Sequence, residues 1–311
     1  MSQSASAAHV EPLWRREAPL LAALFSVLFW GVGPLIVRGV SATTPTIMIV
    51  RLTSAIPVMA YIASRTGGRI DKKIMKQTFF SGVFSFLSMA LSFESLRHTS
   101  IANQTLVGSM APLFLMIVAP RLLNETVTSA QVVLGLAALV GIGAVIFGAG
   151  SSNGATLYGD AMAGVGTVTW SIYLIFTKKS RTANVNSWAF LGGNYTWSAL
   201  LCVPWGLFVG IRFGDLDGRD LVLVVSMVVV QGIGAHGLHT WALKHIDVTI
   251  ASMLTLGCPV ISTIGAYFVY NEAITAMQFA GAVCVLISLG GVTNLAQRRQ
   301  RVERETTLAA L

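Results

Sequence analysis

Apolar residues run along this chain in blocks of near twenty, separated by short polar turns, from about residue 18 to residue 295. A block of that length crosses ~30 Å of hydrocarbon as a helix rising 1.5 Å per residue. Ten spans are expected, at about 18–39, 46–64, 76–96, 101–120, 129–149, 158–177, 188–210, 220–242, 248–269 and 275–295. Strands that cross a membrane alternate apolar and polar over about ten residues; the continuous run VVLGLAALVGIGAVIFGAG does not. The expected fold class is therefore an all-α membrane protein of ten transmembrane helices. The first span follows a polar, doubly basic lead (Trp14, Arg15, Arg16). It is too long for a signal peptide and lacks a small-residue cleavage site, so it reads as a retained span.

A second pattern overlies the first. NETVTSAQ, residues 124–131, returns as NEAITAMQ, residues 271–278, after 147 positions. Sliding 96–131 onto 243–278 matches Leu96/Leu243, His98/His245, Pro112/Pro259, Ile117/Ile264, Ala119/Ala266, Asn124/Asn271, Glu125/Glu272, Thr128/Thr275 and Gln131/Gln278. The same offset pairs Pro57 with Pro204, and an offset of 140 pairs Trp30 with Trp170 and Arg38 with Lys178. The chain reads as a duplicated five-helix unit, 18–149 and 158–295. A linker (150–157) joins the copies, and an N-terminal segment (1–17) and a basic tail (296–311) flank them. Five is odd, so the second copy enters the membrane from the opposite side. Inverted repeats of this kind point to alternating access, with substrate near mid-bilayer between the halves.

Composition agrees with lipid as the solvent. The chain is 54% hydrophobic and 11% charged with mean hydropathy +0.71, against roughly 25% charged in soluble domains. Net charge of +8 calls for no nucleic acid here, because the charge is distributed as anchors. Sixteen of the 21 Lys and Arg fall on connections sharing one side, which puts both termini in the cytoplasm. The RRQRVER tail is a solvated anchor beside anionic lipid. Cys202, Cys258 and Cys284 all lie inside spans and suggest neither disulfide nor metal site.

With ten spans in two halves, FWGVGPLIVRG in span 1, IVRL in span 2, and the pairs Pro112…Glu125 and Pro259…Glu272, the chain resembles the EamA family of the drug/metabolite transporter superfamily. The resemblance covers essentially all of residues 18–295. It implies a metabolite exporter of a bacterial inner membrane, most like the members that export amino acids, aromatic ones included.

Several side chains are candidates for the pathway. Trp30 and Trp170 lie near the middles of spans 1 and 6, and Tyr173 shares a face with Trp170. They are either amphipathic walls for a flat substrate or packing aromatics. Gln231, His236 and His239 lie in span 8, facing a wet cavity or bonding another helix; a helical wheel at ~100° per residue places Gln231 within about 80° of His239. Phe86 and Met89 on span 3 are assigned to the same cavity. Arg51, Glu94, Asn103 and Gln104 cluster toward the outer side as a gate or a clamp for a carboxylate, with snorkelling to headgroups as the alternative. Pro34, Pro112 and Pro259 would kink spans 1, 4 and 9 as hinges. Glu125, Thr128, Glu272 and Thr275 read as structural caps of spans 5 and 10. Stripes of small residues (Ala137, Gly141, Ala144, Gly148; Ala276, Ala280, Cys284, Ser288) suit spans 5 and 10 to a static seam.

No Asp or Glu sits at mid-depth in any span. A proton-coupled site for cationic drugs therefore lacks its carboxylate; a neutral or zwitterionic small molecule is the expected substrate, and the energy coupling stays open, with facilitated diffusion one reading. The lipid bilayer is the other partner; no cofactor or metal is called for, and a monomer would suffice. An exporter of another neutral metabolite, such as a purine or sugar derivative, is the alternative within the class; a membrane channel is the alternative outside it. An embedded enzyme would need paired acids, a metal cluster or an activated nucleophile, and none is found in the sequence.

Overall fold

A computed structural model describes residues 13–99, 104, 107–148, 156–270 and 274–309. Asn103, Glu272 and most of the 150–157 linker lie outside the described residues. The chain is all-helical there. In order come α1 (Leu13–Arg38), α2 (Thr44–Arg65), α3 (Lys72–His98), α4 (Ala111–Leu123), α5 (Ser129–Gly148), α6 (Leu157–Thr182) and α7 (Ser187–Val209). Two broken helices and a long one follow. α8 passes from α-helix (Gly218–Met227) through a π-helical stretch (Val228–Gly237) back to α-helix (Leu238–Ala242). α9 runs from Val248–Leu254 through the 3₁₀ turn Thr255–Gly257 into Cys258–Tyr270, and α10 is Ala276–Ala309.

Polar residues just outside the apolar runs set the starts. Asp71 accepts from the Ile74 N–H (2.8 Å), Thr156 from Gly159 (3.1 Å), Asn186 from Trp188 (3.0 Å) and Asp217 from Asp220 (2.6 Å). Each satisfies an N–H that the first turn leaves without an intrahelical partner. The repeated phrase does the same for α5 and α10. The Gln131 N–H donates to Thr128 Oγ1 and the Thr128 N–H to Gln131 Oε1 (3.3 and 2.8 Å); Gln278 and Thr275 repeat the exchange at 3.2 and 2.8 Å. These are capping boxes, which accounts for the Thr and Gln of both copies.

Among the described residues, six helical stretches are long and apolar enough to cross a membrane: Glu17–Val37, Thr44–Arg65, Lys72–Ser95, Gly218–Ala242, Val248–Val269 and Ala276–Arg299. This is a multi-pass membrane protein, though six is fewer than the ten spans expected. α6 and α7 are long enough but are diluted by Gly, Thr, Ser, Asn, Tyr and Trp, many of them buried against other helices. α4 is short because the chain turns at residues 109–110 before Pro112. Large apolar side chains point outward, with Phe208 at 94%, Leu207 at 75% and Val140 at 73% exposure, as a hydrocarbon solvent allows. The C-terminal segment, expected as a tail, continues α10 as helix to Ala309.

Packing respects the duplication. α3 lies along α6 as α1 lies along α8, and α4 meets α6 as α1 meets α9. Equivalent helices also meet directly, α2 with α7, α4 with α9 and α5 with α10. Exchanging the halves leaves this contact pattern unchanged. In the α5–α10 pair, Leu134 packs at Gly291, Cys284 Sγ reaches the Ala137 carbonyl (3.4 Å) and Gly141 faces Gly281. Numbers rise on one helix as they fall on the other, so the pair is antiparallel. α2 and α7 behave alike, with Pro45 near Gly206 and Met59 near Gly192.

A Cβ on Gly141 would stand 2.8 Å from the Gly281 carbonyl oxygen, and one on Gly281 2.5 Å from that of Gly141. Only glycine lets the two backbones approach this closely. On α10 the seam runs through Gly281, Cys284, Val285 and Ser288; Ala276 and Ala280, expected there, are exposed. The face is one residue off the expected stripe because Gly281 makes the closest approach.

Candidate functional site

A cavity of about 280 Å³ lies between the halves, walled by Trp30, Arg51, three serines of α3, Met89, Phe93, Gly108, Gly166, Thr167, Trp170, Gln231 and His236. The serines are Ser85, Ser88 and Ser92, spaced three and four apart, so one face of α3 presents hydroxyls. Gly108 adjoins the turn that precedes α4. Under the 147-residue offset, residues 108–110 correspond to the 3₁₀ turn Thr255–Gly257 of α9. Both halves therefore interrupt the equivalent helix, and the first interruption borders the cavity.

Aromatic rings close the cavity toward the Lys/Arg-rich end of the bundle. The Trp30 ring meets Trp170 at 5.7 Å between centroids, His236 at 5.2 Å and His239 at 4.7 Å, all edge to face. Tyr173 lies 5.0 Å from Trp170, and Tyr195 6.1 Å from His236. Edge-to-face contact suits ring quadrupoles. Trp30 and Trp170 are equivalent residues of the two copies. A side chain can touch its own repeat partner only near the pseudo-symmetry axis, so the axis passes through this cluster.

α8 brings its polar side chains to the wall by way of the π-helical stretch. With hydrogen bonds from i to i+5, Gln231 and His236 fall on one face, and both line the cavity. The expected pairing of Gln231 with His239 assumed α-helical periodicity and is corrected here. His239 sits behind Trp30, its Nδ1 3.5 Å from Ser26 Oγ. Gly33 lets α1 close on α8, since a Cβ there would overlap Gln231 Nε2.

Other expected residues fall as follows. Tyr173 is buried behind Trp170. Phe86 turns away from the cavity to meet Trp205, with centroids 5.8 Å apart. Arg51, expected at an outer gate, is a wall residue, 5% exposed, its Nη1 4.0 Å from Met89 Sδ. Glu94 and Gln104 are half-buried and do not line the cavity. α1 continues as helix through position 34. Pro112 and Pro259 occupy first-turn positions of α4 and of Cys258–Tyr270, where a missing N–H breaks no helical bond. The breaks lie just before them, where a proline ring crowds the carbonyl four residues earlier, although Cys258, which precedes Pro259, keeps helical angles (φ −57°, ψ −45°). The α3 hydroxyl stripe and Tyr195 were missed, although SFLSMALS carries the stripe at helical spacing.

Beyond the aromatic layer lies a second polar cluster. Glu125, buried, caps α9 and not α5: its carboxylate accepts from the N–H groups of Val248 (2.6 Å) and Thr249 (3.2 Å) and from Thr249 Oγ1 (3.0 Å). Lys178 Nζ donates to the Ile246 carbonyl (2.6 Å), Arg181 Nε to that of Thr240 (3.1 Å), and Arg299 pairs with Asp247 at 3.0 Å. Burial pushes the Glu125 carboxyl above its ordinary pKa, opposed by the Val248 and Thr249 bonds and by Lys178. Burial likewise lowers Lys178, opposed by Glu125 and Asp247. The helix N-terminus supplies further positive potential for the carboxylate.

The fold and the duplication match known proteins. A solved crystal structure superposes with a TM-score of 0.73 at 20% identity, over 90% of this chain and 98% of that one. That likeness shows the fold alone. An uncharacterized transporter of Archaeoglobus fulgidus is 27% identical over 274 residues, 85% of this chain and 94% of its own length. An uncharacterized transporter of Synechocystis sp. is 22% identical over 235 residues, 70% of this chain and 66% of its own. The model of the EamA-like transporter family matches twice, at residues 18–147 and 157–294. The two matches fall on the two five-helix copies, and the chain belongs to the EamA-like transporter family.

Proposed function

We propose that this transporter exports amino acids, aromatic or other neutral ones foremost, or similar small metabolites, by alternating access across a bacterial inner membrane. The observation that carries the reading is the Trp30–Trp170 contact, equivalent residues 5.7 Å apart at the edge of a cavity shared by both halves. A site on the axis that exchanges the halves stays in place when each half takes the other's conformation. The antiparallel α5–α10 and α2–α7 pairs support inversion, since an axis along the helices would leave equivalent helices parallel. Ten spans would then hold two inverted five-helix repeats, with α6 and α7 crossing as protein-buried helices.

The Lys/Arg-rich end faces the cytoplasm on this reading, with both chain termini there. Glu125, Lys178 and Arg181 bind it shut while the cavity extends from mid-depth toward the other side, an outward-facing arrangement. The cavity volume suits a small metabolite, and the tryptophan pair suits a flat one. The lining carries no carboxylate, which favours facilitated movement over proton coupling.

Uptake of labelled amino acids into proteoliposomes is the test. Saturable flux of aromatic amino acids is expected, reduced about tenfold or more in Trp30→Ala and Trp170→Ala. Saturable flux absent for every amino acid tried would overturn the assignment, and dependence of flux on an imposed pH gradient would overturn the facilitated reading.

A further inference from the structure

We infer that the central cavity is an anion site, in which the Arg51 guanidinium receives the carboxylate of a substrate whose flat apolar part lies on Trp30 and Trp170. The inference rests on the proposed pathway only for the route by which the substrate arrives.

Arg51 is permanently charged and presents five N–H donors, yet it is 5% exposed and its polar contact is a thioether sulfur at 4.0 Å. Among the described residues no carboxylate pairs with it. A buried cation with so weak a partner is costly to hold, and a cavity that keeps one is matched to an anion. An independent group points the same way. The Tyr195 hydroxyl, on a side chain 2% exposed whose ring packs edge to face on the wall residue His236 (6.1 Å between centroids), has no hydrogen-bond partner among the described residues.

The wall beside these groups is rich in donors. Ser85 Oγ accepts from Asn194 Nδ2 at 3.2 Å, which leaves its own hydrogen to give, and Ser88 follows one turn along α3. No lining residue is acidic, so nothing in the wall repels an anion or favours a net cation. A guanidinium fork takes a carboxylate through two parallel bonds, and the neighbouring indoles take a ring. Amino acids meet this requirement through their α-carboxylate. Uncharged sugars and purines leave the arginine unanswered, and amines without a carboxylate oppose it.

Isothermal calorimetry on the full chain in detergent, with phenylacetate, phenylacetamide and phenethylamine as probes, tests the assignment. Phenylacetate should bind at least tenfold more tightly than the amide and phenethylamine most weakly. Arg51→Gln should abolish the preference for phenylacetate over the amide, and the amide binding that remains reports a folded cavity. Arg51→Lys, keeping the charge without the fork, should fall between. Equal affinity for phenylacetate and phenylacetamide in the parent, no phenylacetate binding, or an Arg51→Gln variant unchanged toward phenylacetate would each overturn the anion site. Arg51-dependent binding without flux of any amino acid in proteoliposomes would sustain this site and remove the transport reading; saturable flux with no preference for the carboxylate would do the reverse.

Discussion

The two ends of the aromatic layer hold charged side chains that are almost equally buried and treated in opposite ways. Toward the Lys/Arg-rich end, Glu125, Lys178 and Arg181 each end on a protein partner: an α9 N-terminus, the Ile246 carbonyl and the Thr240 carbonyl. Across the tryptophans, Arg51 meets only the Met89 sulfur at 4.0 Å among the described residues, and within the layer the Tyr195 hydroxyl has no hydrogen-bond partner among them. Burying a charge or a polar group without compensation is unfavourable, so the first set reads as architecture and the second as a surface awaiting a ligand. The contrast separates a latch from a site without reference to residue type, since both regions mix cations with hydroxyls.

Removing one partner from the satisfied cluster should cost most. Glu125→Ala strips three charge-assisted bonds from the α9 N-terminus and leaves their donors buried, for an expected loss of about 3–5 kcal/mol and a lower thermal midpoint in detergent. Faster labelling of cysteines placed at the Lys/Arg-rich end should accompany it. On the unsatisfied side the sign reverses. Arg51→Met replaces a buried lone charge by an apolar chain of similar length, and the protein should become more stable by about 1–4 kcal/mol while losing carboxylate binding, a trade between stability and function. A destabilised Arg51→Met would break the comparison.

Smaller effects sharpen it. Thr128→Ala removes one half of a capping box and should cost about 1 kcal/mol, read as a shifted melting midpoint. Tyr195→Phe deletes an unpartnered hydroxyl and should be neutral or stabilising by up to about 1 kcal/mol, where a satisfied tyrosine would lose stability.

The weakest signal is a pH dependence. Because burial raises the Glu125 carboxyl above 4.5, the folded state holds its proton more tightly than the unfolded one. The stability this contributes is complete below the unfolded value and is lost as pH rises through the raised one. Melting in that window should fall with pH, and Glu125→Gln should flatten the slope.

Much of the arrangement was legible in the residue order because it depends on local periodicity and on self-similarity. Apolar runs show a membrane bundle, self-similarity marks the two copies, and T-x-x-Q writes a capping box into each copy. Position within the cavity was less legible. A wheel at α-helical pitch joined Gln231 to His239, whereas the π-helical stretch of α8 joins it to His236. Phe86 and Met89 are three apart on α3, yet one packs on Trp205 and the other lines the wall, a choice made by the neighbouring helix.

The residue order by itself determined that this protein is a duplicated membrane bundle, because pattern and repetition are one-dimensional. It could not say that Glu125 caps α9, whose first N–H partner lies 123 positions further along the chain. Nor could it say that, among the described residues, Arg51 would meet only a thioether sulfur while Lys178 found a carbonyl. Those outcomes depend on which helices cross and where a backbone carbonyl or N–H comes within 3 Å of a buried charge, and only tertiary packing decides that.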